Sequence, residues 1–283
     1  MSQKVAVVTG SSSGMGYETS LILARNRFHT YATMRNIEGR GAGSKQITDI
    51  AKNENLPLKV IQLDVNNDKS VTEAFNRIAN EKDRIDVVIN NAGYGLMGAL
   101  EETSIDEIKA QFETNFFGAV RVMQAVIPMM RKQGGGIIVN ITSLGGRISF
   151  PLNSLYHATK FALEGLSESI QYELEPFGIK VIVIEPGGVG SNFLNNLKWA
   201  SKISDPLNSP YRSMQNSVSE YFKQWAQNLT HPSEVAKVIL QAVTAENPDF
   251  RYVVGKDAAM ALESRRNMSD REFQNMIKKQ INL

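Results

Sequence analysis

The chain has 283 residues, 42% hydrophobic and 21% charged, a composition that suits one large or two small globular domains. Its 31 basic and 29 acidic residues leave a net charge of +2, and no basic or aromatic-rich basic run marks a nucleic-acid surface. It has no cysteine, which excludes disulfides, thiolate metal sites and a cysteine nucleophile, and His29, His157 and His231 lack metal-ligand spacing.

The first predicted element is a strand in Lys4–Thr9, a short β-branched apolar run. A strand starting there leaves no room for a signal peptide, and no apolar stretch reaches the about 18 residues of a membrane span. A cytoplasmic protein without a membrane segment is therefore expected. The strand runs into Gly10-Ser11-Ser12-Ser13-Gly14-Met15-Gly16, and a helical pattern with Leu21, Ile22 and Ala24 on its apolar side follows. Strand, glycine turn and helix make a cradle for a nucleotide phosphate. The glycines let the backbone approach the ligand, and the helix start offers free N–H groups and a favourable dipole. The spacing is GxxxGxG, neither the GxGxxG fingerprint nor a Walker loop; a plain Gly/Ser turn is the alternative.

The second strand, His29–Thr33, ends in Met34 and Arg35, with no acid before Glu38. In dinucleotide folds this strand end meets the adenine ribose. An acid there binds the 2′-hydroxyl and selects NAD, whereas Arg35 can meet a 2′-phosphate. The expected cofactor is NADP(H), with NAD(H) left open and a solvated surface Arg35 as the alternative. Gly39–Gly43 reads as a flexible connection.

Further strands are predicted at Leu58–Asp64, Ile85–Asn90, Gly136–Ile141, Ile179–Ile184 and Arg251–Val254. Helices are predicted at Asp68–Lys82 and Thr103–Arg131, the latter started by a Ser-x-x-Glu box from Ser104 to Glu107, and at Ser154–Phe177. The alternation predicts an α/β fold: one doubly wound, Rossmann-type parallel sheet of about seven strands with helices on both faces. Right-handed crossovers bring the strand carboxyl ends to one side, where the ligand crevice forms. The glycine loop, Asn91, Ser143 and Pro186 all follow strands.

The last of these helices holds Tyr156 and Lys160, four residues apart and so on one face. A lysine ammonium beside a phenol favours the phenolate and lowers its pKa from about 10, which makes the phenol a usable proton donor or acceptor. His157 points about 100° away and receives no catalytic role.

In order and approximate spacing, Thr9–Gly16, Asn90-Asn91-Ala92-Gly93, Asn115, Ser143, Tyr156-x-x-x-Lys160 and Pro186-Gly187 resemble the short-chain dehydrogenases/reductases. The resemblance covers residues 3 to 195 and is to the compact single-domain branch. The run Tyr31–Asn36 is similar to NADP-preferring members acting on hydroxysteroids and related lipophilic alcohols. The resemblance implies Tyr156 as general acid/base. Lys160 would depress the phenol and hold the nicotinamide ribose, Ser143 would bond the substrate oxygen, and Asn115 would help hold a relay water. It implies cofactor contacts from Gly10, Ser12, Ser13, Gly14, Met15, Gly16 and Arg35. Asp64 and Val65 would lie near the adenine, Asn91, Ala92 and Gly93 along the cofactor, and Pro186, Gly187, Val189 and Ser191 at the nicotinamide. Ser191 stands where the family commonly has Thr, and keeps the hydroxyl. As residues alone, Ser143 also reads as a turn residue and Asn115 as a packing amide.

The chain is thus expected to be one dinucleotide-binding catalytic domain, residues 1–283. Residues 188–230, rich in aromatics and broken by Pro206 and Pro210, would cover the substrate. Residues 260–283 would form a helical extension over the pocket or at a subunit contact. A small-molecule carbonyl or alcohol is the expected substrate, and a homodimer or homotetramer the expected assembly. The competing readings are an NAD-dependent enzyme of the same family, a catalytically silent NADP(H)-binding regulatory module, and a lyase or isomerase on the same fold.

Overall fold

The computed structural model describes residues 3–37, 42–191, 193, 196–201 and 209–283. Glu38, Pro206 and the Gly39–Gly41 part of the glycine-rich connection lie outside them. Seven parallel strands run in the order β3-β2-β1-β4-β6-β7-β9. They are β1 (Val5–Val8), β2 (His29–Met34), β3 (Leu58–Gln62), β4 (Val87–Asn90), β6 (Gly136–Ile141), β7 (Ile179–Pro186) and β9 (Arg251–Val254). Two two-residue strands, β5 (Leu96–Met97) and β8 (Lys198–Trp199), pair apart from this sheet. They carry no periodicity that sequence could show.

The central strands β1 (VAVV) and β4 (VVIN) are almost wholly apolar because both sheet faces are covered. Successive residues point to opposite faces. Val5, Val7, Val88, Ile138 and Val181 pack on one side against Phe75, Ile78, Val122, Val126 and Leu163. Ala6, Val8, Ile89, Val139 and Ile182 pack on the other against Leu23, Val235 and Ile239. This is the doubly wound arrangement expected from the alternating pattern. The strand order reverses between β1 and β4, and the crevice outside their carboxyl ends is where ligands bind in such sheets.

The helix α1 (Gly14–Arg25) follows β1 directly. The helix α2 (Ala42–Asn53) starts within the stretch read as a flexible connection. The helix α3 spans Asp68–Lys82, the range predicted. Asn67 caps it by accepting from the Ser70 N–H, and Asp83 ends it in the left-handed region.

The predicted single helix 103–131 is in fact three segments: α4 (Ile105–Phe112), a π turn (Glu113–Phe117) and α5 (Gly118–Gln133). A π turn inserts one extra residue without breaking the run, so the apolar pattern reads straight through it. The predicted Ser104 start is present: Ser104 Oγ accepts from the Glu107 N–H and the Glu107 carboxylate accepts from the Ser104 N–H. Ser104→Ala should cost about 1 kcal/mol of stability. Urea unfolding measures this, and an unshifted midpoint would show that the cap contributes nothing.

The helix α6 spans Ser154–Leu174 and passes into a 3-10 turn at Glu175–Phe177. Helices at Arg212–Trp225, Pro232–Thr244, Lys256–Asn267 and Asp270–Gln280 complete the chain. Among the described residues, no helix is long and apolar enough to cross a membrane.

Candidate active site

The glycine loop is built so that side chains are kept away from its inner surface. Gly10 and Gly14 have φ of +68° and +59°, which glycine adopts without strain. A Cβ on Gly16 would lie 2.4 Å from Asn91 Nδ2 and 2.5 Å from the Gly10 carbonyl oxygen. The α1 N-terminus has no side-chain cap and no acid in its first turn. Its N–H groups and dipole are therefore available to an anion, and the cradle fits a nucleotide phosphate. Ser11 is fully buried, donating to the Val8 carbonyl and accepting from Ser20 Oγ. It shapes the loop, whereas Ser12 is exposed and Ser13 half-buried.

Thr9 and Asn91 tie the ends of β1 and β4 together. Thr9 Oγ1 accepts from the N–H groups of Asn91 and Ala92, at 3.0 and 3.1 Å. Asn91 Nδ2 donates to the carbonyls of Thr9 and Gly10, at 2.8 and 3.1 Å. The Asn91 amide thus organises the loop. Arg35 is exposed at the carboxyl end of β2, its carbonyl held by Gln62 Nε2, and its guanidinium has no partner among the described residues. Asp64 accepts from the Asn66 N–H, and Val65 is buried after β3.

Ser143, Tyr156 and Lys160 converge at the ends of β6 and α6. Ser143 Oγ accepts from the Gly145 N–H at 3.0 Å and lies 3.5 Å from the Pro186 carbonyl. Its hydroxyl lies close enough to Tyr156 to exert a lowering effect on that phenol. Lys160 is buried, and its Nζ donates to the Ile141 carbonyl at 2.8 Å. The expected lowering of the phenol by Lys160 is not what this arrangement produces. Burial pushes Tyr156 up to about 12, against the lowering effect of Ser143. Burial pulls Lys160 down to about 8, against the opposite effect of Glu164. The ammonium stands 5.8 Å from the phenol ring centroid and is committed to Ile141, so desolvation wins at both groups. Behind Lys160, Glu164 and Glu185 are buried and paired with Arg251, and Glu185 also with Arg147.

Asn115 lies in the π turn and is 2% exposed. Its Oδ1 accepts from the Tyr94 N–H, and its Nδ2 donates to the Tyr94 carbonyl and to Thr159 Oγ1. The amide is sealed between the β4 end and α6. His157 is buried; its Nδ1 meets the Gly145 carbonyl at 2.9 Å and its Nε2 accepts from the Phe150 N–H at 3.0 Å. Burial lowers its pKa, against the bond to Gly145. A neutral ring therefore pins the 145–150 loop, a structural task that sequence left open between rim, solvent and core.

These groups face one cavity of about 390 Å³. Met15, Asn91, Gly93, Ser143, Tyr156, Lys160, Pro186, Gly187, Val189 and Ser191 line it, out of the residues singled out from sequence. Gly10, Ser12, Ser13, Gly14, Gly16, Arg35, Asp64, Val65, Ala92 and Asn115 do not. Ser191 leans over the glycine loop: a Cβ on Gly14 would come within 2.9 Å of its own. Asp257, which sequence did not mark, holds the turn after β7 by accepting from the Gly188 N–H and Trp225 Nε1. The rest of the wall is apolar: Met97, Phe150, Tyr221, Phe222 and Trp225, with Met260, Met276 and Ile277. Residues of the Arg212–Trp225 helix and of the two C-terminal helices thus line the cavity.

The short chain dehydrogenase family model matches residues 4–202. The chain is similar to a 3-ketodihydrosphingosine reductase of Bacteroides thetaiotaomicron, at 36% identity over 90% of this chain and 89% of that one. It is similar to human 17-beta-hydroxysteroid dehydrogenase type 1, at 35% identity over 89% of this chain and 77% of that one. A solved short-chain dehydrogenase from Streptomyces avermitilis matches with a TM-score of 0.80 at 32% identity, over 94% of each chain. Other solved chains of the fold hold NADP or NAD.

Proposed function

The chain belongs to the short-chain dehydrogenase family, and on that footing we propose an NADP(H)-dependent oxidoreductase that interconverts a lipophilic ketone or aldehyde and its alcohol. The observation that carries this reading is the Ser143–Tyr156 hydroxyl pair at the wall of an apolar cavity that also reaches Met15 on the phosphate cradle. When bound, the nicotinamide supplies or accepts the hydride.

The side chains then have a limited task. In the reducing direction, negative charge grows on the substrate oxygen. Ser143 and Tyr156 donate to it, and Tyr156 gives up its proton. Tyr156 is protonated at neutral pH, as a proton donor must be. Lys160, held against the Ile141 carbonyl 5.8 Å from the phenol ring centroid, would with Tyr156 hold the ribose. The relay water assigned to Asn115 belongs to the same reading, at a π turn of the kind that collects at functional sites. Gly10, Ser12, Ser13, Gly14 and Gly16 would hold the phosphates. Asp64, Val65, Ala92 and Gly93 would line the adenine and the path from it, and Pro186, Gly187, Val189 and Ser191 the nicotinamide. The whole chain acts as one catalytic domain in the cytoplasm. The lipophilic substrate fits the Met and aromatic wall, and the relatives named for ketosphinganine and steroid chemistry agree with it.

Arg35 supports the choice of NADP(H), because it is exposed directly after β2, at the strand end that meets the adenine ribose in dinucleotide folds. Losing a charge-assisted bond costs about 1.5–3 kcal/mol, or roughly 10- to 150-fold. Arg35→Ala should weaken NADPH binding by that factor and leave NADH nearly unchanged. Titration calorimetry with both cofactors checks this, and equal losses would move the assignment to NAD.

Phe117 at the α5 start and Phe161 and Tyr172 on α6 are 47%, 46% and 68% exposed. We assign this face to a homodimer or homotetramer contact, which symmetric pairing of one helix face would cover. Phe161→Glu should shift the sedimentation coefficient toward the monomer. A parent protein that already sediments as a monomer would remove the assignment.

A further inference from the structure

Apart from the half-buried Tyr221 and the exposed Gln280, most polar side chains on the cavity wall are committed within the protein. Ser143 is held by Gly145, Asn91 by Thr9 and Gly10, Lys160 by Ile141, His157 by Gly145 and Phe150, and Asp257 by Gly188 and Trp225. Asn153 is different. It lines the cavity, and its Oδ1 is buried with no hydrogen-bond partner among the described residues. Asn153 also occupies the N-cap position of α6, yet its side chain makes no cap bond. Asparagine there ordinarily accepts from the helix's first N–H groups.

The surrounding backbone holds Asn153 in this pose. Its carbonyl accepts from the His157 N–H at 3.0 Å. Leu152 before it is buried and has a φ of +61°, a conformation that costs a bulky residue strain, and its carbonyl accepts from the Gly98 N–H at 2.7 Å. A buried acceptor without a donor is unfavourable, and native proteins rarely keep one without a reason. The reason is chemical if the donor arrives with the ligand.

Position supplies the rest. Asn153 lies three residues before Tyr156, at the N-cap of the same helix, and both side chains line the cavity. A ligand whose reacting oxygen sits on Tyr156 therefore brings its adjacent carbons to Asn153. Met97, Phe150 and Phe222 give the cavity wall an apolar surface, and Tyr221, stacked on Phe150, adds a hydroxyl to it. We propose that Asn153 is a substrate-recognition residue. Its Oδ1 accepts a hydrogen bond from a hydroxyl or amine on a carbon next to the reacting carbonyl, and so selects hydroxy- or amino-ketones over plain ketones. This inference rests on the carbonyl–alcohol reading above and sharpens its substrate class.

The test compares three ketones of one chain length with NADPH: 2-dodecanone, 1-methoxy-2-dodecanone and 1-hydroxy-2-dodecanone. The methoxy compound matches the hydroxy compound in electron withdrawal and in acceptors but has no donor. One neutral hydrogen bond predicts a kcat/KM about tenfold higher for the hydroxyketone than for the methoxyketone. In Asn153→Leu this ratio should fall to about one, mostly through KM, while Asn153→Asp, which keeps an acceptor, should preserve it. Asn153→Leu should also lose no thermal stability, because the side chain gives up no bond within the protein. Equal kcat/KM for the hydroxy and methoxy compounds in the parent overturns the inference and leaves the carbonyl reading standing. So does a ratio that survives in Asn153→Leu. Turnover of none of the three overturns the carbonyl reading and the inference with it.

Discussion

Tyr156→Phe should lower kcat by about 10²- to 10⁴-fold while changing the NADPH dissociation constant by no more than a few-fold. The substitution removes one oxygen from a residue packed 5.7 Å from the Phe193 ring and 5.9 Å from His157, and leaves the ring contacts in place. The loss therefore reports on the proton and not on the fold. It corresponds to about 3–5 kcal/mol of transition-state stabilisation. Ser143→Ala should cost less, since Tyr156 would remain to meet the oxygen. Single-turnover reduction followed by NADPH absorbance, with calorimetry on the same samples, separates chemistry from binding. A variant that keeps full turnover would sink the general-acid assignment, and one that loses NADPH binding in parallel would make Tyr156 a cofactor residue only.

Much of this site is legible in the amino-acid sequence alone. Parallel strands covered on both faces leave continuous β-branched runs such as Val5–Val8 and Gly136–Ile141, and these locate the sheet. Residues after strands then have to converge, because parallel strands end on one side. That logic places the glycine loop, Asn91, Ser143 and Pro186 on one side of the sheet, and Asn91, Ser143 and Pro186, with Met15 from the loop, line one cavity. The π turn is not legible, because inserting one residue into a long amphipathic helix leaves its pattern nearly intact. Nor are the walls from Phe222, Trp225, Met260 and Met276, whose helices show an apolar face whatever it packs against. Electrostatics fails for a different reason. Spacing puts Tyr156 and Lys160 on one face, but the Ile141 carbonyl takes the ammonium, and only three-dimensional contacts show that. The unpartnered Asn153 is likewise invisible in sequence, where an asparagine before a helix looks like a cap.

The position of Lys160 has a measurable consequence for stability. Its folded-state pKa, about 8, lies below its ordinary value of 10.5. Below about pH 8 it is charged in both states, and the folded state bears the full penalty of a buried ammonium. Between about pH 8 and 10.5 the unfolded chain binds the proton and the folded chain does not, so stability rises with pH. The penalty at pH 7 is on the order of 3 kcal/mol, offset by about 1 kcal/mol for the bond to Ile141. Lys160→Met should therefore unfold at a higher urea concentration than the parent at pH 7, and this advantage should fade as the pH approaches 10. Tyr156 works in the opposite sense but at higher pH. Its raised pKa makes the folded state bind more protons between 10 and about 12, so stability falls there. Measurements between pH 7 and 10 keep the two apart, and taking the difference between variant and parent cancels the other groups. A difference independent of pH would mean that Lys160 is already solvated in the folded state. A residue that destabilises its own fold at neutral pH is retained for another reason, which agrees with the assignment of Lys160 to the cofactor ribose.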